Sequence, residues 1–165
     1  MAFWSRRKSE PKPAEASRSL REAALTRTAE ELGVSATAEH PHVFGILMET
    51  GYPEAVATLA VFIEGSTSMY FSSGGGMIGA GEYESVRATH GHFFEQAELH
   101  RQAFTPASET PLPGVGRVRF YLRSFGGTLT ADADEQDLGE MRHPLSELFH
   151  AGHAVITAVR QASGG

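Results

Sequence analysis

Six of the eight histidines in this 165-residue chain lie in close pairs, and imidazole is the group here best suited to hold a metal or move a proton. His150 and His153 are three residues apart in a predicted helix, so both side chains lie on one face and can ligate one ion. His90 and His92 would point about 200° apart on a helix, which prevents shared ligation. An H-E-x-x-H motif is absent. His150 and His153 are therefore the candidate metal pair, with core or surface histidines as the alternative.

A glycine-rich segment, SSGGGMIGAG, spans residues 72–81 between a predicted strand and a predicted helix. Backbone N–H groups in such a loop can bind an anion, helped by the dipole of the following helix. The Walker, dinucleotide-binding and G-x-S-x-G patterns are all absent. The alternative is that the glycines allow a tight turn that packs Met77 and Ile78 inward. The candidate ligand-binding residues, with one histidine from the helix, are Ser73, Gly74, Gly75, Gly76 and His90.

The segment RVRFYLR at residues 117–123 has the clearest strand alternation in the chain. Its Val, Phe and Leu side chains are predicted to face the core. Guanidinium groups spaced along the opposite face suit a carboxylate-rich or phosphate-bearing partner. The alternative is an exposed sheet face whose arginines pair with acidic neighbours. The candidate partner-binding residues on this face are Arg117, Arg119, Tyr121 and Arg123.

Residues 1–16, MAFWSRRKSEPKPAEA, are predicted to form a disordered basic tail, because this composition cannot bury enough apolar surface to fold alone. Its aromatic and basic residues make it a candidate docking peptide, or a weak anchor to an anionic membrane surface. The alternative is a solvated tail with no partner. The candidate contacts are Phe3, Trp4, Arg6 and Arg7.

Hydrophobic periodicity predicts an α+β protein with a five-stranded, mainly antiparallel sheet: a three-strand meander, a helix, a hairpin and a helix. The helices are expected to pack on one face, and an additional N-terminal helix is expected from Leu20 to Leu32, ending at Gly33. Ser19 and Glu22 have the spacing of a capping box at its start. Gly152, on the buried side of the last helix, indicates close approach to another backbone. The predicted strands cover 43–49, 56–63, 67–72, 117–123 and 128–131, and the other helices cover 82–104 and the residues from 143 onward.

These elements are expected to form a single domain over residues 17–161, with the N-terminal helix at 17–33 and the sheet and remaining helices at 42–161. Residues 162–165 are expected to be a flexible end.

The composition excludes several classes of chemistry. The chain has no cysteine, so disulfides, thiolate catalysis, iron–sulfur clusters and cysteine-bound zinc are all excluded. Lys8 and Lys12 are the only lysines, which leaves the predicted domain without a Schiff-base or P-loop lysine. A net charge of −6 argues against general nucleic-acid binding. No segment has the length and apolar character of a membrane span or the core of a signal peptide, so a cytoplasmic location is expected.

A non-enzymatic interaction or adaptor module is the function that these features favour. The expected partner is a protein, and an acidic one would suit the arginine face. Self-association as a homodimer is also expected, and no cofactor is implied. The element order is similar to that of profilin-like and roadblock-like sheets, which often mediate pairing. The alternative is a small-ligand-binding or hydrolytic domain that uses the 74–79 loop and a histidine. Abundant Ala, Gly and Arg with few Lys and no Asn is typical of a GC-rich bacterial genome.

Overall fold

The computed structural model describes residues 13–164, and its framework is one antiparallel sheet of seven strands. The strands are β1 (Val43–Gly51), β2 (Val56–Phe62), β3 (Thr67–Phe71), β4 (Gly76–Ile78), β5 (Thr105–Pro106), β6 (Arg117–Ser124) and β7 (Gly127–Asp134). Their order in space is β4-β3-β2-β1-β6-β7-β5, so β1 lies at the centre.

Six α-helices accompany the sheet in the described residues. They are α1 (Pro13–Thr26), α2 (Ala29–Leu32), α3 (Glu84–Arg87), α4 (His90–His100), α5 (Glu135–Gly139) and α6 (Ser146–Ala162). Short 3-10 turns cover Ala80–Glu82 and Arg101–Ala103. None of the helices within residues 13–164 has both the length and the apolar character needed to cross a membrane.

The α+β class and the antiparallel sheet are confirmed, but the prediction of five strands is wrong. The two additional strands, β4 and β5, are three and two residues long and lie at opposite edges of the sheet. β4 lies inside the glycine-rich segment and β5 ends at a proline. Segments this short show no alternation of apolar and polar residues, and glycine and proline are depleted in strands. The hydrophobic pattern therefore did not indicate a strand at either place.

One face of the sheet carries the main hydrophobic core. Alternate residues of the central strands, such as Ile46, Leu59 and Phe120, pack against apolar side chains of α4 and α6. Gly152 of α6 lies so close to β1 that an added Cβ would be 2.6 Å from Met48 Sδ. The three atoms nearest to that Cβ all belong to the side chains of Met48 and Phe93, so Gly152 makes room for these side chains and not for the neighbouring backbone that was predicted.

The opposite face, called the α1 face below, carries the other set of alternating residues. Its smaller apolar cluster consists of Ala24, Phe44, Leu47, Ala60, Phe62 and Tyr121. Helix α1 therefore packs on the side of the sheet away from α6, and each face of the sheet is covered by a different part of the chain.

The N-terminal helix differs from its predicted bounds. It begins at Pro13 instead of near Leu20, and the chain leaves helical geometry between Thr26 and Ala29. The capping box is formed by Thr28 and Glu31 instead of Ser19 and Glu22, because Thr28 starts the separate helix α2. The predicted end at Gly33 is confirmed, since Gly33 has a left-handed backbone with φ of 72°.

The prediction of one long helix over residues 82–104 is also wrong. This part of the chain forms a 3-10 turn, α3, α4 and a second 3-10 turn. The break between α3 and α4 lies at Thr89, whose Oγ1 donates a hydrogen bond to the carbonyl of Val86 at 2.6 Å. Such a side-chain bond competes with the helical pattern, which sequence periodicity does not reveal.

Candidate functional site

A buried carboxylate lies near the middle of the α1 face. Glu49 is fully buried on β1, the central strand, where its cross-strand neighbours are Thr58 and Arg119. Thr58 Oγ1 donates a hydrogen bond to Glu49 Oε2 at 2.7 Å. A buried carboxylate is costly unless it is paired and hydrogen-bonded, so the main question at this site is which cation pairs with it.

Arg21 of α1 supplies that cation through a two-point contact. Its Nε donates to Glu49 Oε2 at 2.7 Å, and its Nη2 donates to Glu49 Oε1 at 2.9 Å. Nη2 also donates to the carbonyl of Thr110 at 2.8 Å. Burial acts to lower the pKa of Arg21, but the hydrogen bond and the charge of Glu49 outweigh it, and the pKa is raised. The guanidinium is therefore held as a cation between the sheet and the loop before β6.

Two tyrosines complete the surroundings of the ion pair. The guanidinium carbon of Arg21 lies 5.8 Å from the ring centroid of Tyr121, whose hydroxyl donates to the carbonyl of Pro111 at 2.6 Å. The buried hydroxyl of Tyr70 has no hydrogen-bond partner among residues 13–164. Burial, and then the charge of Glu49, raise the pKa of both phenols, so both hydroxyls are neutral at pH 7.

Clefts lie on either side of α1 because the helix does not fill the space above the sheet. One cleft of about 180 Å³ lies beside the ion pair and is lined by Arg21, Thr58, Tyr70 and Leu112, among others. A second cleft of about 290 Å³ runs towards β4 and is lined in part by Leu20, Phe62, Tyr70 and Ile78. Tyr70 borders both, and Ile78 is 65% exposed there.

The buried residues of α1 are small, and its Leu25 is only partly buried against the sheet. Of residues 14–26, only Ser17 and Ala24 are buried. The sheet contributes one more contact, since Arg123 Nη1 donates to the carbonyls of Ala24 and Arg27 at 2.7 and 2.9 Å. By contrast, α6 buries Leu148, Phe149, Val155 and Ile156, among others. Apolar burial is the main source of helix docking energy, so α1 is held less firmly by that term than α6 is.

The four residues predicted as an open basic face on β6 are only partly accessible. Tyr121 is fully buried and Arg123 is 9% exposed, so the expectation of an open face is wrong for these two. They are covered because α1 and the loop before β6 lie over them. Arg117 and Arg119 remain at the rim, where Asp132 Oδ2 lies 2.9 Å from Arg117 Nη2 and 3.9 Å from Arg119 Nη2.

The glycine-rich segment forms a hairpin between β3 and β4. Its backbone groups are used within the turn, where Gly74 N donates to the carbonyl of Phe71 and Phe71 N donates to that of Gly75. A Cβ on Gly76 would lie 2.2 Å from the carbonyl oxygen of Met69. Gly74, Gly75 and Gly76 therefore shape the turn, and Ser73 is exposed in the same turn. Met77 packs against the main core, whereas Ile78 is exposed, so only half of the inward packing expected for this pair occurs.

His90 lies away from Gly74, Gly75 and Gly76, in a cleft of about 450 Å³ between α4 and the segment before β1. Its Nε2 lies 3.0 Å from Thr67 Oγ1, and that hydroxyl donates to the carbonyl of Gly65. The tautomer of His90 decides whether the ring or the hydroxyl donates in this contact. Burial lowers the pKa of His90, which makes the ring neutral at pH 7.

His150 and His153 are adjacent on α6 but have different surroundings. His150 Nε2 lies 3.2 Å from the carbonyl of Gly139, and its ring meets Phe149 edge-on with 5.4 Å between centroids. The ring of His153 packs against Phe149 at a tilt of 59°, with 4.4 Å between centroids. Within residues 13–164, no group of three or more His, Asp and Glu side chains is placed to hold a metal ion. Phe3, Trp4, Arg6 and Arg7 lie outside the described residues.

The residues that form the buried ion pair were not among those singled out from the sequence. Glu49 follows the apolar run VFGILM on the central strand, and a carboxylate in such a strand is a signal that a buried cation is required. Its partner could not be located, because Arg21 is 28 residues away and every arginine in the chain was an equal candidate.

Comparisons with protein-family models, curated proteins and solved structures gave no match.

Proposed function

We propose that this chain is a non-enzymatic interaction module that binds a helical segment of a partner protein on the α1 face. Helix α1 covers this face in the absence of the partner. The observation that supports the proposal is the contact between α1 and the sheet, which combines a buried ion pair with small residues and leaves clefts on both sides. Arg117 and Arg119 lie at the rim beside Asp132, and acidic residues of the same partner would compete with that carboxylate for them.

The energetics of α1 are compatible with exchange. Its two buried side chains, Ser17 and Ala24, contribute little apolar area, since a buried methylene or methyl group is worth about 0.8 kcal/mol, and the partly buried Leu25 adds one further apolar contact. A cover held by a few kcal/mol leaves the open form at roughly 0.1–10% of molecules. A partner that binds only the open form then shifts the population towards it, and its apparent affinity falls by the fraction that is open.

A labelled peptide of residues 13–33 is the probe that tests this proposal, because it carries a segment known to fit the face. The full-length Ala24→Glu variant should open the cover, since Ala24 is 8% exposed and a glutamate there cannot be accommodated. Ser19→Glu is the matched control, because it adds the same charge at an exposed position of α1. Fluorescence anisotropy should show the peptide binding the Ala24→Glu chain at least tenfold more tightly than it binds the wild type or the control.

Equal binding by all three chains would contradict the removable cover. Light scattering on the same samples measures their oligomeric state and so shows whether a second copy of this chain binds the α1 face. If the Ala24→Glu chain forms dimers that the peptide dissociates, the face binds a second copy of this chain instead of a different protein. A partner captured from native cells counts in favour only if the 13–33 peptide displaces it.

A further inference from the structure

We infer that the pocket around Glu49 is a receptor for an arginine side chain of the partner, and that Arg21 occupies it as an intramolecular substitute. This inference rests on the proposed function and specifies the chemistry of the docked segment. The groups that contact the Arg21 guanidinium are the carboxylate of Glu49, the carbonyls of Thr110 and Pro111, and the ring of Tyr121. They offer negative charge, two further acceptors and an aromatic face.

All of these groups belong to the body of the protein and none belongs to α1. Glu49 is on β1, Tyr121 is on β6, and Thr110 and Pro111 are in the loop between β5 and β6. The loop is held to the sheet independently of α1, because the hydroxyl of Tyr121 donates to the carbonyl of Pro111. The receptor therefore remains assembled when α1 leaves, and Glu49 then loses the guanidinium bound to both its oxygens, with Arg119 left as its cationic cross-strand neighbour.

The geometry favours arginine over lysine. Two nitrogens of the Arg21 guanidinium bind the two oxygens of one carboxylate, and Nη2 also reaches the carbonyl of Thr110. A planar fork can satisfy these acceptors together, whereas an ammonium group is a compact charge that cannot bind the carboxylate in this parallel manner. The ring of Tyr121 adds a contact that guanidinium uses more often than ammonium does.

A second feature points to a docked ligand beside the guanidinium. The hydroxyl of Tyr70 is buried and has no partner in the described part of the chain, and Tyr70 is only 4% exposed. It borders the cleft of about 180 Å³ that Arg21 and Thr58 also line. Buried hydroxyls nearly always have a partner, so this one offers a contact for a polar group next to the partner's arginine.

Chemical rescue tests the receptor without a partner. In the full-length Arg21→Ala variant the pocket loses its guanidinium, and millimolar N-ethylguanidinium should raise the melting temperature by several degrees, while ethylammonium at the same concentration should not. The matched control is Arg21→Ala with Glu49→Gln, in which the pocket has lost its charge and the rescue should vanish. An equal response to the two cations, or a rescue that persists in the control, would overturn the arginine receptor.

Peptide specificity provides a second test that does not depend on the folding of Arg21→Ala. Peptides of residues 13–33 carrying Arg21, Arg21→Lys or Arg21→Ala are compared on the full-length Ala24→Glu chain. We expect the lysine peptide to bind about tenfold more weakly and the alanine peptide about 100-fold more weakly. Three equal affinities would refute arginine recognition but leave the proposed docking face intact, whereas no binding by any peptide would refute the docking face itself.

Discussion

Replacing Arg21 by alanine should destabilise the protein more than the loss of a surface ion pair would. Glu49 is fully buried, and Arg21 has a side chain only 18% exposed. Removing one partner of a buried pair costs about 3–5 kcal/mol, because the remaining charge is left without compensation. A solvent-exposed pair is worth only about 0–1 kcal/mol. The residual exposure of Arg21 places the expected cost at about 2–4 kcal/mol, which lies between these limits.

The cost of Arg21→Ala has an upper limit set by the attachment of α1. Once the penalty on Glu49 exceeds the free energy that holds α1 to the sheet, the helix detaches and water reaches the carboxylate. Hydrogen exchange should therefore become fast in the amides of α1 while the amides of β1 and β6 stay protected. This pattern distinguishes opening of the cover from weakening of the whole fold.

A double-mutant cycle isolates the ion pair from other effects of the substitutions. Glu49→Gln should cost less than Arg21→Ala, because Arg21 is partly exposed and can turn towards water. The double variant should recover much of the loss, with a coupling energy of about 1.5–3 kcal/mol from urea unfolding. For a chain of this size each 1 kcal/mol shifts the melting temperature by about 2–4 °C. A cost below about 0.5 kcal/mol for Arg21→Ala, with strict additivity in the cycle, would refute this reasoning.

Three further predictions concern other parts of the fold. Burial lowers the pKa of His153, so on acidification the histidine is protonated in the unfolded chain before it is protonated in the folded one. Stability should therefore fall as the pH drops below about 6.5. The His153→Leu variant should flatten that part of a plot of melting temperature against pH. Gly81→Ala should destabilise the fold by more than about 2 kcal/mol in urea unfolding, because its Cβ would lie 1.9 Å from the carbonyl oxygen of Gly65. Gly91→Ala is the control: its Cβ would meet open space, so the change should be neutral or slightly stabilising. Arg123→Leu removes the donor to the carbonyls at the end of α1, and limited proteolysis should then cut near residue 27 faster than in the wild type.

The long strands and the last helix were predictable because each has a regular pattern. β6 alternates apolar and polar residues, and α6 repeats apolar residues at helical spacing over four turns. The short strands β4 and β5 form because they lie beside a sheet that already exists. Their pairing depends on strands that are neighbours in space, and a short stretch of sequence does not show which strands those are.

The accessibility of the β6 face could not be derived from its polarity. Alternation correctly placed Tyr121 and Arg123 on the side away from the main core, but polar residues on a strand are exposed only if nothing covers them. The cover is α1, whose Ala24 carbonyl accepts from an arginine 99 residues away in sequence. Contacts over such distances follow from the assembled fold, and neither partner shows a local pattern that would reveal them.

The composition of the covered face separates two contributions to binding that can be tested independently. At one end, around Phe44 and Phe62, the cover packs through apolar contacts that include Leu25. At the other end, the carboxylate of Glu49 accepts two hydrogen bonds from the guanidinium of Arg21. Apolar contact should contribute affinity without regard to the identity of the cation, since it is non-directional.

Leu25→Ala in the 13–33 peptide should therefore weaken binding by a similar factor whether residue 21 is arginine or lysine. We expect a loss of about 1–2 kcal/mol in each case, or roughly five- to thirtyfold in the dissociation constant, because Leu25 is only partly buried. The ratio between the arginine and lysine peptides should stay unchanged. Anisotropy titrations of the four peptides on the Ala24→Glu chain measure both quantities. If Leu25→Ala abolished the preference for arginine, the two ends of the face would act as one coupled unit, and Glu49 could not select a partner independently of the apolar contacts.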